Sequence, residues 1–103
     1  RNVIIKDDGA SVGLYTHWSG SELEETVKTA LKRKQRWGDS AYLARIIFCQ
    51  MGKGQESEET GYGITPGERL CEASDRDITI DVGKQTISVG SGKPEISLSK
   101  FIA

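Results

Sequence analysis

The run Ser40 to Gly52, SAYLARIIFCQMG, constrains this chain more than any other part of it. Tyr42, Leu43, Ile46, Ile47 and Met51 recur at the spacing that brings side chains onto one side of a helix. Phe48 and Cys49 widen that stripe beyond what a surface helix carries, so the spacing predicts a core helix held between a sheet and a second element. Arg45 interrupts the stripe. A guanidinium there must be paired or lie at the edge of the stripe, and on the helical wheel it shares a flank with Tyr42 and Cys49.

Around that helix the chain divides cleanly. Asn2 to Lys6 and Val12 to Trp18 read as two strands joined through Asp8-Gly9, a dipeptide that favours a hairpin turn. Alternation then separates Tyr15 and His17 from Leu14, Thr16 and Trp18. Ser21 followed three residues later by Glu24 is a capping-box pattern for a first helix reaching to about Trp37, with Leu23, Val27, Ala30 and Leu31 as its narrow apolar stripe. Acidic residues lie near the start of this helix and Lys32, Arg33, Lys34 and Arg36 near its end, as the helix dipole favours. Asp39 or Ser40 caps the core helix and Gly52 closes it.

The second half reads as strands. Residues 53–59 have too little apolar content to pack, whereas Thr60 to Thr65 forms a short strand and Pro66-Gly67 a turn. Ile78, Ile80 and Val82 alternate with polar residues, as do Ile87 and Val89. A two-residue turn at Gly83-Lys84 pairs Ile80 with Ile87 and puts the five aliphatics on one face. Ile96, Leu98 and Ile102 give a last strand. The resulting order, ββααβββ, predicts an α+β fold: one antiparallel β-sheet with two helices packed on one face. A chain of 103 residues is expected to form a single domain that buries roughly 65% of its unfolded surface.

Composition narrows the chemistry. A formal charge of −1 argues against a nucleic-acid binder held by bulk positive charge, but leaves a local basic patch open. Cys49 and Cys71 form no CxxC and are read as buried free thiols of a reducing compartment rather than a disulfide. Without a membrane-length apolar run or a signal-peptide core, the expected location is cytoplasmic. One histidine rules out a paired-histidine metal motif, and no metal, cofactor or catalytic residue is assigned. Gly90-Ser91-Gly92-Lys93 lacks the spacing of a phosphate loop and has Pro94 where Ser or Thr is needed.

Two clusters remain. Tyr15, His17 and Trp18 combine a group that titrates near neutral pH with rings able to stack on a planar ligand, and Arg45 could supply a bidentate fork for phosphate or carboxylate. The ligand-binding set is therefore Tyr15, His17, Trp18 and Arg45. The competing reading of the aromatic strand is plain packing, and that of Arg45 an ion pair with Asp39 or Glu59. Lys32, Arg33 and Arg36 form the partner-binding set, against the alternative of a solvated helix end.

The patterns LYTHWSG from Leu14, RWGDSAYLARIIF from Arg36, ETGYGI from Glu59 and ITIDVGKQTISVG from Ile78 resemble a group of small uncharacterised proteins of bacteriophages and of bacterial, notably actinobacterial, genomes. The resemblance spans most of the chain, apart from the loop around residues 53–58 and residues 67–75. It implies a phage accessory role in the host cytoplasm: a non-enzymatic binding protein, a counter-defence factor that sequesters a nucleotide-type signal or blocks a host defence protein. From the residues themselves two alternatives stay open. One is a small hydrolase or transferase with His17 as acid or base; the other is a nucleic-acid-binding accessory protein working through the basic first helix. A homo-oligomer is also left open.

Overall fold

The computed structural model describes residues 1–17, 22–33, 36–55, 57–59, 61–67, 69–70 and 72–103. Its elements are β1 (Asn2–Asp7), β2 (Ala10–Thr16), α1 (Glu22–Arg33), α2 (Ser40–Met51), β3 (Tyr62–Pro66), β4 (Ile78–Asp81), β5 (Thr86–Ser88), β6 (Ile96–Ser97) and α3 (Leu98–Ile102). The fold is α+β, with one six-stranded sheet in the order β3-β2-β1-β4-β5-β6. The sheet is mixed, however, because β1 and β4 run parallel, with Val3 opposite Ile78 and Ile5 opposite Ile80. The wholly antiparallel expectation is thereby corrected. The reason is topological: β3 pairs with the outer side of β2, so the chain must cross two strands before β4 can pair with the other side of β1. No helix among the described residues is long and apolar enough to cross a membrane.

The β1–β2 hairpin follows its turn chemistry. Asp7 pairs with Ala10, and Asp8 and Gly9 both take positive φ, 50° and 85°, the mirror-image turn whose twist suits a hairpin. Val3, Ile5 and Leu14 then lie on the face covered by the helices and are buried with Ile78 and Ile80. Leu23, Val27, Ala30 and Leu31 of α1 are fully buried, as are Leu43, Ile47 and Met51 of α2. The core helix thus packs against both α1 and the sheet through one continuous buried side. Asp39 caps it by accepting a hydrogen bond from the Tyr42 N–H (3.1 Å), and the Gly52 N–H returns to the Phe48 carbonyl (2.9 Å). Ser19, Gly20 and Ser21, the cap predicted for α1, lie outside the described residues, as do Lys34 and Cys71.

Three local expectations are revised. The described α1 ends at Arg33, and Trp37 is instead a buried anchor in the connection, its indole Nε1 donating to the Leu31 carbonyl (3.2 Å). The β4–β5 register is the expected one, with Ile80 opposite Ile87, but Val82–Gln85 form a four-residue turn in which Gln85 (φ 56°), not Gly83, takes the left-handed conformation. Gln85 is held there by its side-chain amide, which donates to the carbonyls of Trp37 and Val82, both at 2.9 Å. Leu98 and Ile102 belong to a helix rather than a strand. Leu98, Phe101 and Ile102 recur at helical spacing, and the Ser97 hydroxyl caps the Lys100 N–H (3.1 Å).

An ion pair ties α1 to the start of the sheet. The Arg1 guanidinium, almost fully buried, forks onto the Glu24 carboxylate at 2.6 and 3.1 Å and donates to the Arg76 carbonyl. Burial alone would raise the Glu24 carboxyl, but hydrogen bonds and the positive charges of Arg1 and Arg76 outweigh it and hold the group below its ordinary value. A depressed carboxylate contributes stability that is complete above its unfolded pKa and disappears as pH falls through the folded one. Glu24→Gln is expected to cost about 1–2 kcal/mol at neutral pH and progressively less on acidification. Thermal melts of parent and variant between about pH 7 and pH 3 check this, and a gap that does not narrow would refute the linkage.

Candidate functional site

The connection between α1 and α2 builds a cationic surface on the side of the helix pair away from the sheet. Trp37 pins the connection to the core, which leaves its neighbour Arg36 exposed beside the first turn of α2. Asp39 uses one carboxylate oxygen for the cap and the other to accept from Arg36 Nη2 (3.2 Å). Arg36 thereby comes over the Tyr42 ring, 4.8 Å from its centroid. Arg45, three residues further along α2, lies 5.0 Å from the same centroid. One half-buried ring thus holds two guanidiniums, and a small hollow of about 220 Å³ lined by Arg33, Tyr42, Arg45, Ile46 and Cys49 adjoins it.

The charge balance here is uneven. Arg36 has Asp39, but Arg33 and Arg45 have no carboxylate partner among the described residues. The expected ion pair of Arg45 with Asp39 or Glu59 is thus not seen there; Asp39 serves Arg36. Two unneutralised guanidiniums beside a ring form a ready receptor for an oxyanion, because each retains its planar fork of donors. Lys32 is exposed in the last turn of α1.

Tyr15 lies elsewhere. It alternates with the buried Leu14 and so faces the opposite side of the sheet, where its hydroxyl donates to Glu72 (2.8 Å). Residues after β3 cross that face, with Leu70 lying over Gly13. His17 follows β2 and extends its ladder: the backbone N–H donates to the Gly61 carbonyl (2.8 Å), and Nδ1 lies 2.9 Å from the same oxygen. Since a carbonyl only accepts, this geometry places the proton on Nδ1. Gly61 has φ 97°, and a Cβ there would come within 2.6 Å of Nδ1, so only glycine allows the ring this seat. Among the described residues no carboxylate orients His17. Trp18 lies outside the described residues.

The residues selected from the sequence therefore divide. Arg45 joins Arg33 and Arg36 of the partner-binding set, while Tyr15 and His17 belong to the sheet and to its β2–β3 end. Tyr42, which organises the cationic surface, was visible in the sequence as a member of the apolar stripe and as a neighbour of Arg45 on the helical wheel, not as a site residue. Cys49 corrects the expectation of a buried thiol: it is free and exposed, because it sits on the outer flank of α2 rather than in the stripe. No cluster of potential metal ligands occurs among the described residues. A larger hollow of about 640 Å³ lies between the β1–β2 and β4–β5 turns, lined by Lys6, Asp8 and Asp81 among others, but Asp81 already caps the Lys84 N–H (3.0 Å). Comparisons with protein-family models, curated proteins and solved structures find no match to this chain.

Proposed function

We propose that this chain is a small non-enzymatic binding protein that engages an anionic partner through Arg33, Arg36 and Arg45 on the outer face of α1 and α2. The observation that carries the reading is the pair of exposed guanidiniums, Arg33 and Arg45, flanking Tyr42, neither of them paired with a carboxylate among the described residues. Within the phage counter-defence role implied by the sequence resemblance, this favours blocking an acidic surface of a host protein over sequestering a nucleotide-type signal. A nucleotide would have needed an aromatic ring and Arg45 together, and Tyr15 lies across the sheet from Arg45. Tyr42 is already covered by two guanidiniums.

A charge-assisted hydrogen bond contributes about 1.5–3 kcal/mol, so Arg45→Ala should weaken partner binding by roughly 10- to 150-fold while the fold is retained. Arg45→Lys keeps the charge but not the fork, and is expected to recover only part of that affinity. Calorimetry with linear and cyclic nucleotides, run beside quantitative affinity purification from host cells by parent and Arg45→Ala protein, tests the choice. A protein retained by the parent and lost by the variant supports the reading. Tight nucleotide binding insensitive to Arg45, or a retained set unchanged by the substitution, would overturn it.

A further inference from the structure

We propose that the outer edge of β3 and the groove beside it form a strand-addition site for an extended protein segment that carries an acidic side chain two positions from an aliphatic one. This deepens the anionic-partner reading, on which it rests through Arg45, by specifying how such a partner is held.

The backbone supplies the first observation. β3 ends the sheet, and among the described residues nothing pairs with its outer side. The bond from His17 N–H to Gly61 O fixes which residues of β3 face β2. Hydrogen-bonded and open pairs alternate along an antiparallel ladder, so Gly63 and Thr65 bond inward to Tyr15 and Gly13. Tyr62 and Ile64 therefore direct their N–H and C=O groups outward. Pro66 has only a carbonyl to offer there, which limits how far an added strand can extend.

The side chains supply the second. Ile64 is the exposed large aliphatic of the described residues, 58% accessible, although its cross-strand partner Leu14 is 1% accessible. Beyond α2 the helix-covered face of the sheet continues as a groove of about 350 Å³, with Ala44, Phe48 and Ile64 as its apolar walls and Arg45 at its rim. An edge strand beside an apolar groove is the arrangement used for strand addition, in which backbone bonds provide affinity and alternate side chains provide selectivity.

Charge selects the occupant. Residues i and i+2 of a strand share a face, so a segment that lays an aliphatic side chain against Ile64 and Phe48 presents its neighbour two positions away along the same groove. A carboxylate there meets Arg45. A second copy of this chain is disfavoured, because two-fold pairing of β3 edges would turn Arg45 and its counterpart toward one another on one face of a continuous sheet. Pairing centred on Ile64 would also set Tyr62 opposite Pro66, which lacks the N–H to complete the ladder.

The test uses a fluorescein-labelled peptide, Thr-Glu-Thr-Val-Thr-Glu-Thr, whose acidic residues flank the aliphatic one in either strand direction, and a counterpart with Lys in place of Glu. Fluorescence anisotropy should show the acidic peptide binding the parent at least about 10-fold more tightly than the lysine peptide, with Arg45→Ala abolishing the difference. Ile64→Pro removes an outward N–H without touching the bonds to β2 and should abolish binding; Ile64→Lys, which preserves the backbone, should do the same if the proline variant fails to fold. Failure of both peptides to bind the parent overturns the proposal, as does parent-like binding by a folded Ile64 variant. If Arg45→Ala weakens binding but the Ile64 variants do not, strand addition falls and the anionic-partner reading stands. Sedimentation velocity showing a parent dimer that Ile64→Lys dissociates would overturn the proposal in favour of self-association.

Discussion

Ile47→Asp is expected to leave no cooperative thermal transition. Ile47 is fully buried in the middle of α2, within a cluster of apolar side chains from α1, α2 and the sheet. The substitution forfeits about 2–3 kcal/mol of aliphatic burial and adds the larger cost of an unpaired carboxylate, or of protonating it, in an apolar surround. Against a total stability of about 5–15 kcal/mol for a domain of this size, the sum is decisive. Ile46→Asp is the informative contrast. Ile46 is also buried, but it borders the hollow lined by Arg33 and Arg45, where a new carboxylate can find a guanidinium. Circular-dichroism melts should therefore show Ile46→Asp folded with a lowered Tm and Ile47→Asp unfolded. Equal melting of the two would mean that α2 is not oriented as described.

That contrast also marks what the sequence could and could not convey. Helical spacing identified α2 and its Gly52 end and narrowed its cap to Asp39 or Ser40, of which Asp39 serves, because these depend on neighbours three and four residues apart. The apolar stripe of α1 and the Asp8-Gly9 turn were legible for the same local reason. The spacing did not resolve which flank of the widened α2 stripe is solvated. Cys49 falls outside the core because it lies with Tyr42 and Arg45 on the outer flank of α2, opposite the buried side. Ile64 likewise reads as an ordinary strand residue until β3 is known to be an edge. The reading of Ile96, Leu98 and Ile102 as one strand gave way to the spacing of Leu98, Phe101 and Ile102, strengthened by a serine cap that was present in the sequence.

The candidate site shows the same division. Arg45 stood out because an arginine in an apolar helix needs an explanation, and Lys32, Arg33 and Arg36 because they cluster in sequence. Their juxtaposition depends on the short connection through Trp37, whose burial carries Arg36 to the Tyr42 ring. Linking Tyr15 and His17 to Arg45 required them to share a face, which turns on the side of the sheet that receives the helices. Alternation within β2 cannot decide that by itself: it separates Leu14 from Tyr15 without stating which of them meets α2.

The parallel pairing of β1 with β4 is the feature least visible in the sequence, and Asp77→Ala is the substitution that should expose what fixes it. Asp77 is a buried carboxylate immediately before β4; it accepts the backbone N–H of Asn2 (2.7 Å), the Asn2 side-chain amide (3.3 Å) and the Ser74 N–H (2.9 Å). It therefore ties the start of β1 to the start of β4, next to the pair Val3 and Ile78. In a sequence read by alternation, an aspartate before a strand is only a turn residue, because its partner on β1, Asn2, lies seventy-five positions away. Removing it leaves buried donors without their charged acceptor, a loss of about 3–5 kcal/mol and so a fall in Tm of roughly 12–30 °C. Asp77→Asn retains the shape and one carbonyl acceptor but turns an amide toward a donor, and should lose about half as much. Hydrogen exchange gives the sharper readout: protection should fall first at β1 and β4 and persist within α2. A Tm within a few degrees of the parent, or uniform loss of protection, would show that the hydrophobic pairing of Val3 and Ile5 with Ile78 and Ile80 sets the parallel register without Asp77.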